Sequence, residues 1–253
     1  MATQNNRNTI GQIVGADLSS WTPALLPLDE TMEGNFCRLE RLLPAAHAVE
    51  LYEAFSTDQD GRGWTYLPYG PFDNYPDFLD HVTDLASGSD PLAFAIIDVE
   101  SGSAVGIATY LRVAPDAGSI EVGHIHFSPL LQRKPGGTEA MFLMMKNVFE
   151  KWGYRRYEWK CNSLNTASRE AAVRLGFSYE GTFRQAGVVK GKNRDTSWFS
   201  VIDSEWPVLK AAFEGWLAQD NFDAEGKRMT SLPELIAKEE TTYQIKALAL
   251  RAG

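Results

Sequence analysis

A carboxylate and two imidazoles, Glu121, His124 and His126, lie close together in one apolar segment of this chain. A carboxylate or a neutral imidazole can accept a proton in general acid–base catalysis, and burial raises the pKa of a carboxyl group. Glu121 can equally be an ion-paired carboxylate, and the histidines can be core or pocket-wall residues. A metal pair is a further alternative, but zinc needs more ligands and the sequence offers no partner set. We therefore expect a base, Glu121 or alternatively His124, and no metal.

The alternation of side chains along a strand decides which of these groups share a face. His124 and His126 are two residues apart and therefore lie on one face of a strand. Glu121 points to the opposite face unless a β-bulge intervenes. As a pocket-wall residue, His126 would lie beside the acceptor substrate.

A glycine-containing turn, residues 132–138, follows this segment and leads into a helix. Successive backbone N–H groups and the helix dipole at such a turn form an anion site, and Arg133 and Lys134 add positive charge. Pro135 has no N–H to donate, whereas Gly136 and Gly137 let the backbone approach a ligand closely. The alternative is a plain strand-to-helix turn. With a parallel strand beside it, the turn is suited to hold a long phosphate-bearing cofactor.

Periodicity predicts the elements that position these residues, in the order β-α-α-β-β-β-α-β-α-β-β. The predicted strands cover residues 36–42, 92–98, 105–113, 120–127, 154–161, 179–188 and 196–201. The predicted helices cover residues 44–55, 75–86, 138–152, 165–175 and 206–218, with a helical tail from Ser231. Asn165 is a suitable helix cap, Gly176 a helix end, and residues 190–195 a hairpin loop. We therefore predict a mixed α/β domain over residues 36–204, an N-terminal extension (1–35) and a C-terminal helical extension (205–253).

Composition limits the possible partners and compartment. Hydrophobic residues make up 44% and charged residues 23% of the chain, which is typical of a globular protein. The net charge of −9 makes nucleic acid an improbable partner. No apolar run reaches the roughly 20 residues that a membrane span requires. The two separated cysteines and a polar N-terminus without signal-peptide character lead us to expect a reducing, cytoplasmic setting.

The order of elements and several motifs together resemble the GNAT acetyltransferase superfamily, most closely its RimJ/RimL-like branch. The motifs are Glu121–His124, Leu131–Arg133 with Thr138–Ala140, Asn165 and Ser168 with Leu175–Phe177, Gly181–Arg184 and Asn193–Asp195. The resemblance implies an α/β, GNAT-like fold: a mixed, mostly antiparallel sheet with a splayed parallel strand pair and flanking helices. It also implies direct transfer of an acetyl group from acetyl-CoA to a primary amine of a small molecule or a protein N-terminus.

The resemblance assigns expected roles to individual residues. Glu121, or His124, would accept the proton of the amine, and Ser168 would protonate the leaving thiolate, since Ala172 stands where many members have tyrosine. Residues of the aromatic loop (residues 64–72), together with His126, would contact the acceptor; we select Trp64, Tyr69 and Phe72. The residues expected to bind the cofactor are Phe127, Gln132, Arg133, Lys134, Gly136, Gly137, Thr138 and Asn165.

Two alternatives remain open from the sequence. Pro135 in the phosphate turn and Ala172 keep a non-catalytic acyl-CoA-binding or regulatory module in consideration. The acidic charge and the aromatic loop favour a small acceptor over a ribosomal one, but the acceptor itself is not determined. We expect no nucleic-acid or membrane partner, and either a monomer or a homodimer.

Overall fold

The computed structural model describes residues 6–252, with side chains as far as Ile245. Strands β1 (Asn6–Arg7) and β2 (Ile13–Val14) form a small separate hairpin. The remaining strands form one sheet in the order β3-β4-β5-β6-β7-β8-β10-β9. Their bounds are Met32–Glu33 (β3), Cys37–Arg41 (β4), Leu92–Asp98 (β5), Ala104–Ala114 (β6), Ser119–Phe127 (β7), Arg156–Asn162 (β8), Ser178–Val189 (β9) and Lys192–Ile202 (β10).

Helices cover both faces of this sheet. Their bounds are Pro44–Ser56 (α1), Tyr75–Ser87 (α2), Pro135–Lys146 (α3), Thr166–Arg174 (α4), Trp206–Leu217 (α5) and Leu232–Ala252 (α6). A π-helical turn, Asn147–Lys151, continues α3. No helix in the described part of the chain is long and apolar enough to cross a membrane.

Strands β7 and β8 form the parallel pair that the fold prediction requires. All other neighbours in the sheet pair antiparallel, which confirms the predicted fold class. The parallel pairing runs from Ser119 opposite Arg156 to Val122 opposite Trp159 and then stops. Beyond Val122 the two strands diverge and leave an opening between them.

Two apolar cores hold the layers together, one on each face of the sheet. On one face, α3 and α5 pack on the sheet through residues such as Phe142 and Phe213, whose ring centroids are 5.2 Å apart. On the other face, α1 and α2 pack through Leu51, Phe55 and Phe78. The C-terminal segment therefore packs on the same side as α3 and contributes to that core.

Helix α3 begins at Pro135 rather than at Thr138, so the predicted start was wrong. Proline is favoured at the first helical position because its missing N–H would have no helical partner there. Gly136 and Gly137 consequently belong to the first turn of the helix rather than to the preceding loop.

Two boundaries around the last strands also differ from prediction. Strand β8 begins at Arg156 and not at Tyr154, because the Tyr154 N–H still bonds to the carbonyl of Val148 in the preceding helical turn at 3.0 Å. The β9–β10 hairpin has a turn of two residues, Lys190–Gly191, in place of the predicted loop 190–195. Both turn residues have positive φ, 50° and 71°, which suits the twist of a tight hairpin.

Glu139 ties α3 to the start of β4. Its carboxylate, 3% exposed, accepts backbone N–H groups of Asn35, Phe36 and Cys37 at 2.7, 2.6 and 2.8 Å. A Cβ at Gly34 would lie 2.4 Å from the Glu139 side chain, so glycine is required for this approach. Glu139 thus supplies the acceptors for three successive N–H groups at the turn from β3 into β4.

Replacing Glu139 with alanine is expected to lower the free energy of unfolding by about 3 kcal/mol, because three N–H groups lose a charged acceptor at roughly 1 kcal/mol each. Urea unfolding of the wild-type protein and the variant measures the difference. Glu170→Ala, on the exposed side of α4, is the matched control and should change the value by less than about 0.5 kcal/mol. Equal stability of the two variants would contradict the role of Glu139.

Candidate active site

A cleft of about 880 Å³ opens where β7 and β8 diverge. The first turn of α3, helix α4 and the beginning of the aromatic loop complete its walls. The predicted site residues that line it are Glu121, His124, His126, Phe127, Gln132, Arg133, Lys134, Gly137, Thr138, Asn165 and Ser168. Trp64, Tyr69, Phe72 and Gly136 are not among the lining residues. The structure therefore brings most of the predicted residues to one cavity.

A β-bulge in β7 determines the shape of this cleft. Ile107 of β6 pairs with His126, and Thr109 pairs with Gly123, so β7 uses one more residue than β6 between these pairs. His124 lies in the bulge with φ 48°, a left-handed conformation that non-glycine residues seldom adopt. Pairing with β8 has already ended at Val122. The edge of β7 beyond Val122 therefore faces the cleft without a strand partner.

The bulge also changes which side chains share a face. Glu121 pairs with Leu111 and His126 pairs with Ile107, and residues 107 and 111 lie on one face of β6. Glu121 and His126 consequently lie on the same face, although they are an odd number of residues apart. Glu121 and His126 therefore do not lie on opposite faces, which is the outcome expected where a bulge intervenes.

His124 is a neutral imidazole held by a phenol. Its Nδ1 is 3.1 Å from the Tyr69 hydroxyl, and the two rings are stacked at 5.6 Å. Burial, followed by the positive charge of Arg112, lowers the pKa of His124 below its usual value of 6.5. Burial raises the pKa of Tyr69, so its hydroxyl stays protonated at neutral pH. The pair can orient the imidazole and leave its other nitrogen available to accept a proton.

Glu121 is the centre of an ion-pair network. Its side chain is 4% exposed, and Arg112 donates to Oε1 at 2.7 Å. Lys160 Nζ lies 2.7 Å from Glu121 Oε2 and forms an ion pair with it, although the geometry is not that of a hydrogen bond. The same Nζ lies 2.8 Å from the Glu158 carboxylate and 3.8 Å from the centroid of the Trp198 ring. The carboxylate thereby fixes two cations at the wall of the cleft.

His126 lies between aromatic rings at the back of the cleft. It stacks on Phe55 at 3.9 Å and meets the edge of Trp64 at 4.0 Å. A Cβ at Gly63 would lie 3.0 Å from the imidazole, so the backbone of the aromatic-loop region closes over it. Burial, followed by the charge of His81, lowers the pKa of His126 to about 3. The structure thus assigns His126 to the wall of the cleft.

Asn165 and Ser168 lie together at the start of α4. The Asn165 side chain caps the helix by accepting the Ser168 N–H at 3.1 Å. The Ser168 hydroxyl accepts the indole N–H of Trp159 at 3.0 Å, and its own proton can be donated to a second acceptor. Ala172 is fully buried in the core, so the helix presents Ala171 to the cleft at this level.

The first turn of α3 offers unpaired donors to the cleft. The Lys134 N–H bonds to Leu131 at 3.2 Å, Pro135 has none, and no side chain caps the helix. The N–H groups of Gly136 and Gly137 therefore remain without intrahelical acceptors. A Cβ at Gly137 would lie 3.1 Å from the Phe127 ring, so the ring packs against bare backbone.

Basic side chains outnumber carboxylates along the cleft of this acidic chain. Among the described lining residues Glu121 is the only carboxylate, whereas the basic ones are Arg112, Arg133, Lys134, Lys160, Arg174, Arg194 and Arg228. Arg174 and Arg228 were not selected from the sequence. Arg174 lies in the last turn of α4, where a basic residue is common at any helix because it interacts with the helix dipole. The residues around Arg228 form no motif that would indicate a place in the cleft. The arrangement favours an anionic ligand.

The aromatic loop contacts the cleft through residues other than those we selected. Trp64 is 6% exposed and packs in the core with Phe72, and Tyr69 stands behind His124. The loop residues that line the cleft are Tyr66, Leu67 and Pro68. Periodicity gives no indication of which aromatic residues of an irregular loop turn inwards.

Two hydrogen bonds hold this loop across the cleft. The Tyr66 hydroxyl donates to the carbonyl of Leu164, just before α4, at 3.0 Å. Lys190, in the β9–β10 turn, donates to the carbonyl of Trp64 at 2.8 Å. The cleft is therefore bridged by the loop on two sides.

Comparisons with known proteins agree with this geometry. The family model for the acetyltransferase (GNAT) domain matches residues 38–178. The chain is similar to a GCN5-related N-acetyltransferase from Brucella melitensis, with a TM-score of 0.85 and 45% identity over 87% of this chain and 100% of that one. It is similar to a GNAT-family acetyltransferase from Chromobacterium violaceum ATCC 12472, with a TM-score of 0.72 and 39% identity over 78% of this chain and 98% of that one.

A third similarity concerns the fold alone. RimL, a ribosomal L7/L12 α-N-protein acetyltransferase, gives a TM-score of 0.59 at 18% identity over 68% of this chain and 94% of that one. A comparison with curated proteins finds no match.

The buried histidines predict loss of stability in acid. Because the pKa of His126 is about 3 in the folded protein and about 6.5 when unfolded, the unfolded state binds more protons between these values. Stability should therefore fall as the pH drops below 6.5, by about 1.4 kcal/mol per pH unit from this residue. His126→Phe, which can keep the stack on Phe55, should show a shallower fall between pH 6.5 and 5 and little change in pH dependence above pH 7.5. Denaturant unfolding across this range tests it, and parallel curves would contradict it.

Proposed function

The chain belongs to the GNAT acetyltransferase family, and from this membership we propose that it transfers an acetyl group from acetyl-CoA directly to the primary amine of a small molecule. One observation carries the proposal: a single cleft joins an uncapped, cation-rich helix N-terminus to a neutral, hydrogen-bonded histidine, His124. The first is suited to bind phosphate groups, and the second is suited to accept a proton.

The residues at the start of α3 fit the phosphates of CoA. Gly137, which lines the cleft, would donate its backbone N–H group, and Arg133 and Lys134 would add charge beside it; Gly136, also expected to bind the cofactor, does not line the cleft. Pro135 occupies the first helical position, where its missing N–H costs no helical hydrogen bond. Phe127 and Asn165 would line the path from this turn to the bulge. Bound acetyl-CoA would supply the acetyl group as a thioester.

His124 is the base that the geometry favours. An ammonium group must lose a proton before its nitrogen has a lone pair to attack a carbonyl carbon. Because its pKa is lowered, the imidazole of His124 is unprotonated at neutral pH and has a nitrogen free to take up that proton. In the tautomer in which Nδ1–H donates to the Tyr69 oxygen, Nε2 is the unprotonated nitrogen, and we assign it the proton of the amine. Glu121 already forms ion pairs with Arg112 and Lys160, so we propose that its role is to position these two cations.

Ser168 is the group proposed to protonate the leaving sulfur. Trp159 donates to its oxygen at 3.0 Å, which leaves the hydroxyl proton for another acceptor. Ala172 is buried, so a larger side chain at that position of α4 would enter the core rather than the cleft, and we assign the acid role to Ser168 instead. The two sequence features that suggested a non-catalytic module, Pro135 and Ala172, are thus compatible with catalysis.

The bridged loop favours a small acceptor. The hydrogen bonds from Tyr66 to Leu164 and from Lys190 to Trp64 limit the width of the entrance beneath the aromatic loop. The net charge of −9 also disfavours approach to a nucleic-acid-rich partner such as a ribosome. A protein N-terminus would have to enter between these two hydrogen bonds as an extended segment.

Replacing His124 with glutamine should lower kcat by on the order of 10² to 10⁴, the usual contribution of a positioned base, with little change in acetyl-CoA affinity. The measurement is thiol release from acetyl-CoA with a panel of primary amines, with calorimetry for cofactor affinity. Tyr69→Phe removes the hydroxyl bonded to His124 and should lower kcat less. His47→Gln, in α1 and not lining the cleft, is the control. A larger loss in Glu121→Gln than in His124→Gln would assign the base to Glu121.

The pH dependence of kcat/KM provides an independent check. Because the pKa of His124 is lowered below 6.5, the rate should fall only on the acid side of pH 6.5, where the imidazole becomes protonated. This limb should keep its position when acceptors of different amine pKa are compared, whereas a limb due to the acceptor would move with it. The limb should disappear in His124→Gln. Its persistence there would contradict the assignment.

A further inference from the structure

Arg228 reaches the cleft from outside the region that the family model matches. The match to the family model ends at residue 178, and Arg228 lies in the segment between α5 and α6. It nevertheless lines the same cavity as the first turn of α3 and Arg174. A residue of the C-terminal extension is therefore part of the site.

The backbone around Arg228 is fixed by one buried side chain. Asn221 is 7% exposed, and its amide nitrogen donates to the carbonyls of Trp216 and Thr230 at 3.1 and 3.2 Å. Its amide oxygen accepts the Thr230 N–H at 2.9 Å, and its backbone carbonyl accepts the Met229 N–H at 2.8 Å. These bonds close residues 221–230 into a defined loop with Arg228 near its end.

The side chain of Arg228 is held as well. Its guanidinium lies 4.4 Å from the centroid of the Trp216 ring, which is a cation–π geometry. Trp216 itself is 2% exposed and belongs to the core of α5. A planar guanidinium stacked on a rigid ring presents its N–H groups at the edge, where they suit a phosphate.

Arg228 and Arg174 lie close enough to repel each other. Burial, followed by the charge of Arg228, lowers the pKa of Arg174. The Arg174 guanidinium donates to Thr138 in the first turn of α3 at 3.0 Å. Neither arginine forms a salt bridge with any acidic side chain in the described part of the chain. Two neighbouring cations without a protein counter-ion are stabilised by a bound anion.

We propose that Arg228, supplied by the C-terminal extension, binds a phosphate group of CoA together with Arg174. The inference rests on the proposed function and extends it, because it assigns part of cofactor recognition to a segment outside the matched domain. CoA carries a pyrophosphate and a separate 3′-phosphate on its ribose. The N–H group of Gly137 can bind one of these phosphates, and the arginine pair can bind the other or add to the binding of the first.

Calorimetric titration of the full chain with CoA and with dephospho-CoA, which lacks the 3′-phosphate, tests the inference. Arg228→Met keeps an unbranched apolar stem over Trp216 and should weaken CoA binding by about tenfold to a hundredfold, since a charge-assisted hydrogen bond is lost. Lys227→Met removes the same charge from the adjacent exposed residue and should change affinity less than about twofold.

The two ligands identify the phosphate. A loss confined to CoA would assign Arg228 to the 3′-phosphate, and an equal loss for both ligands would assign it to the pyrophosphate. Wild-type affinity of Arg228→Met for both ligands would overturn the inference. Failure of the wild-type protein to bind either ligand would instead overturn the proposed function.

A second measurement distinguishes lost CoA binding from a loss of the variant's own stability. The rise in melting temperature that CoA produces is compared with each variant's own ligand-free value, so a lower starting stability does not imitate lost binding. Arg228→Met should show a smaller rise than Lys227→Met at the same CoA concentration. An equal rise in the two variants would overturn the inference.

Discussion

The left-handed backbone at His124 is the constraint on which the rest of the site depends. The extra residue that it adds to β7 accompanies the end of parallel pairing at Val122, so the strands part and the cleft opens. It turns Glu121 and His126 to one face and directs the His124 ring at Tyr69. A strained conformation of this kind costs on the order of 1–3 kcal/mol and persists only where its surroundings determine it. Here the α1–α2 layer provides those surroundings, through Tyr69 and through Phe55 stacked on His126.

Electrostatics divide the cleft along β7. Glu121, near the start of the strand, is neutralised by Arg112 and Lys160. The turn after Phe127 leads to cations without carboxylate partners and to the uncapped start of α3. With a rise of about 3.3 Å per residue, these regions are separated by roughly 20 Å along the strand. An acidic protein can thus attract a polyanionic cofactor locally, because the field of a cleft is set by the charges that line it rather than by the net charge.

Much of the fold was predictable, because periodicity, a proline at a helix start and a cap such as Asn165 act locally. The order of the elements follows from those signals, whereas the GNAT-like sheet and most predicted cleft residues are implied by the motifs that resemble the family. Arg228 was not predictable, since its place depends on the Asn221 loop and on Trp216, which only tertiary packing brings to the cleft. The same holds for the aromatic loop, where Trp64 fills the core while Tyr66 faces the cavity. Glu139 lies within a motif that resembles a cofactor site, yet its bonds stabilise the approach of α3 to β4.

The position of Cys161 bears on whether a covalent intermediate is needed. It lines the cleft near Ser168 and is the sulfur nucleophile among the described lining residues. Burial raises the pKa of its thiol, and because the thiolate is the reactive form, the residue is a poor acyl acceptor at neutral pH. His124, by contrast, is neutral and lies at the bulge, between the turn at the start of α3 and the bridged loop. In the proposed reaction an amine and a thioester would enter from these two sides and meet at the bulge, so direct transfer would require no nucleophile from the protein.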